Sequence, residues 1–449
     1  MNRKITYNTL ILAHIGLGIV LYALGFLSKL FGILIPIVGL VYIMRTQNKN
    51  NQVLVACSYI VGSEVLMRMT NGNISHDLAK YIVIIYCLMG AFYSSVSKKN
   101  AIYLLFLLVL MPGVYIGTTV LNFDTNMRKA IIFNILGEIT LFISVFYCYD
   151  RQIKFKDFEY ILKSFALPII SILTYLFLHT PSVRDVVTGT SSNFQTSGGF
   201  GPNQVSTILG LGMFIFFALF LFFSKTKKQQ LLHLGLLLIV SYRGIVTFSR
   251  GGVITGLIMI LVLFVLTYRY SNNKAKSKIV LLIIGALLLG SLTWSYSVIQ
   301  TGGLIENRYA NQDARGREKE DRLGGREQIA MTELQMFWDN PLLGIGVGKN
   351  KEFREEETGI VAASHNEVTR LLAEHGSLGI LALLILVFVP LLSAFENKQN
   401  LFLLPFYLFW ALTINHAAMR LAAPAFIYAL TLLKVNFDEE PSVHREQII

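Results

Sequence analysis

The sequence predicts an all-α polytopic membrane protein of about 12–14 transmembrane spans, with one large loop between late spans. Of its 449 residues, 54% are hydrophobic and only 15% are charged, whereas soluble domains carry about a quarter charged residues. The mean hydropathy is +0.56. Apolar runs long enough to cross a hydrocarbon core of about 30 Å recur along the whole chain. A soluble globular protein is therefore excluded.

Hydropathy delimits about fourteen apolar segments. They lie near 8–25, 29–45, 52–68, 78–97, 100–121, 129–148, 161–179, 203–223, 231–248, 251–269, 278–297, 377–395, 400–417 and 420–434. The chain then divides into four predicted parts. These are residues 1–297 with the N-terminal spans, 298–376 as a catalytic loop, 377–434 as the C-terminal spans and 435–449 as a cytoplasmic tail.

The placement of basic residues predicts how the chain is oriented. Every second connection is basic, and basic connections stay in the cytoplasm. The basic residues are Arg3, Lys4, Arg45, Lys49, Lys98, Lys99, Arg151, Lys154, Lys156, Lys225, Lys227, Lys228, Arg269, Lys274, Lys276 and Lys278. We therefore expect cytoplasmic termini, with the loops at 180–202 and 298–376 on the outer side. The first segment is interpreted as a span, because no cleavage site of small residues follows it. Since these loops explain the net charge of +12, no nucleic-acid partner is expected.

The outer loop at 298–376 is too long for an idle connection. From Arg326 to Trp338 its apolar residues repeat with helical spacing, and Trp338 suits a membrane interface. Asp339-Asn340-Pro341 should end that helix. Gly344, Gly346 and Gly348 follow in a flexible or closely packed turn, without the strand and helix that a nucleotide loop requires.

A histidine near the end of this loop is the first candidate for chemistry. Ser364 and Glu367 have the spacing of a capping box, which predicts that Ser364 is the N-cap and His365 the first helical residue. The positive end of a helix favours a neutral imidazole and a nearby anion. One face of the helix is apolar and is formed by Val368, Leu371, Leu372 and His375. Arg370 falls on another face.

Arginines supply the second candidate feature. Arg250 lies between two apolar helices, beside Gly251 and Gly252, and its planar charged fork suits a diphosphate. Arg243, seven residues earlier, would share a helical face with Arg250, and a buried arginine in an apolar span indicates function. Arg326 begins the loop helix. Histidine clusters and D-x-D pairs are missing from the sequence, so we expect neither a metal nor a cofactor.

These residues together resemble the O-antigen ligase and O-antigen polymerase superfamily of bacterial envelope glycan transferases. The most specific match is His365-Asn366, then nine residues, then Gly376-Ser377-Leu378-Gly379. Three further segments are similar to recurring elements of the family. These are Asn340 to Gly348, Ser249 to Gly252, and Gly201 to Gln204, in which we expect Asn203 to line the outer cavity.

The resemblance implies an enzyme of the bacterial inner membrane with its active site on the periplasmic face. Its donor would be a glycan on undecaprenyl diphosphate, and its acceptor lipid A–core in ligases or a second lipid-linked glycan in polymerases. We expect His365 to be the general base, with Arg250 and Arg326 stabilising the departing diphosphate. Arg243, Asn203, Asn366 and Arg370 are the expected substrate-binding residues. Membrane lipids and a chain-length regulator are the other candidate partners.

Two interpretations compete with a ligase. A polymerase of the same superfamily would use the same motifs with a different acceptor. A transporter of the lipid-linked glycan belongs to a different class, but transporters often contain repeated halves, and no internal repeat is visible in this sequence. A membrane scaffold without activity would leave the His365 motif unexplained.

Overall fold

The computed structural model describes residues 6–319, 325–359 and 362–437, and it confirms an all-α polytopic architecture. The helices in these residues are α1 Tyr7–Ala23, α2 Leu27–Thr46, α3 Gln52–Met69, α4 Leu78–Tyr93, α5 Ala101–Val120, α6 Met127–Cys148, α7 Phe158–His179, α8 Pro202–Ala218, α9 Lys227–Ile245, α10 Arg250–Tyr270, α11 Asn273–Gln300, α12 Leu304–Tyr309, α13 Arg326–Asp339, α14 Lys349–Thr358, α15 Glu367–His375, α16 Ser377–Glu396, α17 Leu403–Ile414 and α18 Ala422–Leu430. Each predicted apolar segment overlaps one of them. Nine helices in the described residues are long and apolar enough to cross a membrane.

The two ends of the bundle are built differently. At one end, strand β1 (Gln152–Lys154) pairs in parallel with strand β2 (Lys434–Asn436). The basic connection that contains Lys99 lies at this end, where Lys99 contacts Asp150 and Glu396. The large loop between α11 and α16 lies at the opposite end with α12 to α15. The Lys99 connection and the large loop therefore lie at opposite ends of the bundle. The alternation of the other connections and the end that faces the cytoplasm stay predictions.

Helices α3, α7, α8 and α18 form the interior of the bundle. All nine residues of α18 are buried, and so are 89% of the residues in the apolar 18-residue stretch that forms α3. By contrast, only 6% of the residues in the apolar stretch of α11 are buried. This helix therefore lies at the periphery of the bundle, with most of its apolar surface facing outward. Such a surface suits lipid, which solvates apolar side chains.

Helices α8 and α10 approach each other closely because glycines line their contact. A Cβ at Gly252 would overlap the carbonyl of Ser206, and a Cβ at Gly210 would overlap the carbonyl of Gly252. Small residues at helix contacts in membranes allow this close backbone approach. The first turn of α10, which begins at Arg250, is consequently fixed against the first turns of α8.

The predicted loop helix is confirmed as α13, which begins at Arg326 and ends at Asp339, one residue beyond Trp338. The three glycines that follow are closely packed. Their φ angles are 71°, 93° and 88° for Gly344, Gly346 and Gly348, a region that favours glycine. Gly344 lies against the backbone of α15 and Gly346 against Gly117 of α5. This turn therefore seats the loop on the transmembrane helices.

Candidate active site

The segment that carries His365 is extended and is held by side chains from distant parts of the chain. Arg420 donates hydrogen bonds to the carbonyls of Ser364 at 2.6 Å and Ala363 at 3.2 Å. The Ser364 hydroxyl donates to the carboxylate of Glu333 at 3.2 Å. His365 is thus held through the backbone and side chain of its neighbour, whereas its own ring is only partly buried.

A buried ion pair between two loop helices supports the segment that carries His365. Glu333 of α13 lies 2.7 Å from Arg354 of α14, and neither side chain is exposed. Glu333 also accepts a hydrogen bond from Thr369 at 2.6 Å, and Arg354 donates to the carbonyl of Ala362. One carboxylate therefore joins α13, α14 and α15.

The predicted start of the histidine helix was wrong by two residues. Asn366 is the N-cap, because its Oδ1 accepts from the backbone N–H groups of Val368 at 2.9 Å and Thr369 at 3.4 Å. Ser364 cannot cap the helix, since its hydroxyl bonds Glu333 and the Asn366 N–H instead. His365 accordingly precedes the cap and lies outside the helix, at its N-terminal end.

Arg370 lies in a buried cluster of carboxylates. Its guanidinium contacts Glu138 of α6 and Glu367, and it lies 2.5 Å from Glu374. Burial raises the pKa of Glu374 to about 7, although Arg370 opposes this shift. Glu374 also accepts from the N–H of Gly348 at 2.9 Å. Arg370, expected to bind substrate, is therefore engaged in holding α15 on α6.

Arg250 lies where the first turn of α10 meets the outer loop. Its guanidinium donates to Asn311 at 2.6 Å and to the carbonyl of Arg308 at 3.4 Å. Next to it, Ser249 donates to the Oδ1 of Asn203 at 2.8 Å. Arg308, which sequence reasoning did not single out, bonds the carbonyl of Phe248 at 3.0 Å. The structure thus brings Asn203, Arg250 and Arg308 together.

The cationic side chains around His365 act on one another electrostatically. Burial, followed by the charges of Arg420, Arg326 and Arg354 in that order, lowers the pKa of His365 to about 4. Burial and the charge of Arg250 lower the pKa of Arg326. Within the described residues, the Arg326 side chain makes no hydrogen bond. His365 is therefore neutral at pH 7 and lies in a positive field suited to an anion.

The connection between α17 and α18 contributes two residues that sequence reasoning missed. The ring of His416 covers Gly251, where a Cβ would lie 2.5 Å from it, and its Nε2 is 3.4 Å from the Thr207 hydroxyl. Arg420 reaches the His365 segment as described above. Both positions are polar and interrupt the apolar sequence where the last two apolar segments meet. That interruption was the only signal available in the sequence.

Arg243 lies elsewhere. It is 1% exposed and donates to the carbonyl of Leu176 at 2.7 Å and to those of Thr180 and Thr196. The expectation that it shares a helical face with Arg250 was wrong. Helix α9 ends at Ile245, and Phe248 turns the chain with a φ of 59° before α10 begins. The contacts of Arg243 order residues 180–196 instead.

An apolar cleft of about 650 Å³ separates α11 from α8, α9 and α10. Side chains such as Leu237, Leu257 and Leu289 line it, and Trp294 and Tyr309 lie along it. Tyr309 follows Arg308 in the chain, and burial raises its pKa to about 12. Tyr309 therefore joins the lining of the cleft to Arg308, and the charges of Arg250 and Arg308 both act on its pKa.

Comparison with known proteins gives one match. Residues 235–384 match a family model described as O-antigen ligase. This segment covers about a third of the chain and contains Arg250, Arg326 and His365. No curated protein and no solved structure matches the chain.

Proposed function

We propose that this chain, as a member of the O-antigen ligase and polymerase superfamily, transfers a glycan from undecaprenyl diphosphate to a hydroxyl of lipid A–core on the periplasmic face of the inner membrane. One observation carries the proposal. A neutral histidine, His365, lies at the N-terminal end of a helix and inside the positive field of Arg420 and Arg326. A base beside an anion site is what this transfer needs.

In the proposed reaction, His365 accepts the proton of the acceptor hydroxyl, and the oxygen attacks the anomeric carbon of the donor. The bond between that carbon and the diphosphate oxygen breaks, and its electron pair leaves with the diphosphate. Arg250 and Arg326 stabilise the added negative charge. A single displacement inverts the anomeric configuration. Because a bound diphosphate is an anion, it raises the pKa of His365 and makes the base stronger when the donor is present.

The apolar cleft supports a polyprenyl carrier as the donor lipid. A chain of isoprene units buries apolar surface, and the lining of the cleft is almost entirely apolar. Gly285 and Gly290 of α11 keep it open, since nothing lies within 4 Å of a Cβ built at either position. With the lipid in the cleft, the diphosphate would meet Arg250 and Arg308 next to Tyr309.

Purified protein in liposomes tests the reaction. The donor is a glycan on undecaprenyl diphosphate, and the acceptor is either lipid A–core or a second lipid-linked glycan. Mass spectrometry identifies the product. We expect transfer to lipid A–core. Elongation of the lipid-linked glycan alone would identify a polymerase, and absence of product from both acceptors would overturn the proposal.

A glycine substitution tests the lipid cleft separately. Gly290→Leu places a side chain in the open space, so the KM for the donor should rise several-fold while the protein inserts normally. Gly16→Leu is the matched control, because it adds the same side chain to α1 at a glycine that also has nothing within 4 Å. An unchanged KM in Gly290→Leu would place the lipid elsewhere.

A further inference from the structure

The turn between α17 and α18 is fixed to the interior of the bundle by a buried ion pair. Arg68 and Glu64, both on α3, lie 2.7 Å apart and are each 2% exposed. Arg68 donates to the carbonyl of Arg420 at 3.1 Å, and Glu64 accepts from the N–H of Ala422 at 2.8 Å. The ion pair thus bonds the backbone on both sides of residue 421. Arg68 also donates to Gln204 of α8 at 2.7 Å.

From this fixed turn, two groups reach the histidine segment, one on each side of His365. The Arg420 guanidinium bonds the carbonyl of Ser364 at 2.6 Å, immediately before the histidine. The N–H of Met419 donates to the carboxylate of Glu367 at 3.3 Å, two residues after it. The backbone around His365 is consequently tied to α3 through residues 419–422, although these elements are far apart in sequence.

We propose that Arg420 is a positioning residue for His365, which it holds in place from the turn fixed by Arg68 and Glu64. The inference rests on the proposed function, in which Arg250 and Arg326 serve the diphosphate and Arg420 serves the base. One terminal nitrogen of the Arg420 guanidinium donates to both carbonyls. A lysine ammonium keeps the charge but is carried on a flexible stem and ends closer to its own backbone, so we expect it to hold the two carbonyls less well.

The same guanidinium also affects protonation. Arg420 exerts the largest charge effect on His365, ahead of Arg326, Arg354 and His416, and all of these lower its pKa after burial has done so. Loss of the Arg420 charge should therefore raise the pKa of His365, since one of the repelling cations is gone. A residue that served the fold alone would not move this value.

The test uses three variants of the full-length protein in liposomes. Arg420→Gln removes the charge and the guanidinium, and Arg420→Lys keeps the charge. Arg317→Gln is the control, since Arg317 is 70% exposed and pairs with Asp313 in the outer loop. The first measurement is the rate at which diethylpyrocarbonate modifies His365 as a function of pH, read by peptide mass spectrometry. The second is kcat and KM for glycan transfer.

For Arg420→Gln, we expect the midpoint of His365 modification to rise by roughly 0.5–1 pH unit. The kcat should fall by roughly 100-fold, as for a misplaced catalytic group, with little change in KM for the donor. Arg420→Lys should keep the wild-type midpoint and recover only part of kcat. Arg317→Gln should match the wild type in both measurements.

An unchanged midpoint and kcat in Arg420→Gln would overturn the inference. A rise in KM with an unchanged kcat would do so as well, because Arg420 would then bind the donor directly. If the wild type transferred no glycan, the proposed function would fail. The modification profile would still report whether Arg420 governs His365, so the two failures are distinguishable.

Discussion

The carboxylate of Glu333 and the guanidinium of Arg354 lie 2.7 Å apart and are both completely buried. Glu333 is two turns into α13, the helix that begins with Arg326, and it also accepts hydrogen bonds from Ser364 and Thr369 on either side of His365. The helix that carries a proposed diphosphate ligand and the segment that carries the proposed base are therefore joined through one carboxylate.

Loss of Glu333 should unfold this part of the outer loop. Glu333→Ala leaves Arg354 buried and uncompensated, which costs about 3–5 kcal/mol. The variant should be cleaved within the loop at protease concentrations that leave the wild type intact. Replacing both partners, with Glu333→Leu and Arg354→Met, should restore part of the resistance. Equal resistance of Glu333→Ala and the wild type would show that the ion pair does not stabilise the loop.

His365→Ala should abolish glycan transfer in cells at normal protein abundance, because general-base catalysis contributes roughly 10²–10⁴ in rate. Chelators should not affect the wild type, since arginines supply the positive charge in the proposed mechanism. His375 is the internal control. It is fully buried against Gly113 of α5, so His375→Gln should lower stability and leave transfer per folded molecule intact. A reversal of these two results would refute the assignment of the base.

Arg250→Lys should retain only a small fraction of activity, and Arg250→Ala less, with normal membrane insertion of both. Lysine keeps the charge and loses the bidentate fork that a diphosphate engages. The measurement is the turnover of lipid-linked donor by membranes that contain equal amounts of each variant. Wild-type turnover in Arg250→Lys would reduce the arginine to an anchor at the membrane edge.

The stability of the loop should fall as the pH rises toward neutrality, through Glu374. Its pKa is raised to about 7 in the folded protein, above about 4.3 in an unfolded chain. The folded state therefore binds this proton more tightly, so its contribution is complete below about pH 4.3 and is lost as the pH passes 7. Glu374→Gln should remove this part of the pH dependence in thermal unfolding of detergent-solubilised protein. An identical pH dependence in both proteins would contradict it.

Single cysteines in a background without Cys57, Cys87 and Cys148 test the orientation. A membrane-impermeant thiol reagent applied to intact spheroplasts should label cysteine at positions 312 and 356, and fail to label it at positions 99, 227 and 276. The expectation follows from the basic connections. Labelling at position 227 would show that the chain has the opposite orientation to the predicted one.

Hydropathy and local periodicity alone predicted most of the architecture. The apolar segments, the helix from Arg326 and its end before Pro341 depend on local periodicity and chain-breaking residues, which are visible in one stretch of sequence. The candidate base and the Arg250 turn were likewise found from local motifs. The structure was needed to show that His365 and Arg250 share a neighbour, Arg326, whose charge acts on His365 and whose own pKa is lowered by Arg250.

Features that depend on distant partners were missed or misplaced. Ser364 and Asn366 are both good caps, and the choice between them is made by Glu333, which lies 31 residues before Ser364 and takes the serine hydroxyl. The sequence placed Arg420 at the start of a short apolar span. Its contact with Ser364 joins residues that are 56 positions apart, so no local pattern could indicate it. Arg243 suggested a function because it lies within an apolar span. The backbone carbonyls that it bonds cannot be inferred from the sequence.

The contact between Arg420 and Ser364, together with the pairing of β1 and β2, has a consequence for biosynthesis. The ribosome makes Arg250, Arg326 and His365 before it makes Arg420, which lies 55 residues after the histidine. Strand β2 is made later still, so β1 can pair with it only after that. A chain that stops short of residue 419 therefore holds the proposed base without the turn that we propose positions it, so the turn before α18 is the part that completes the proposed site.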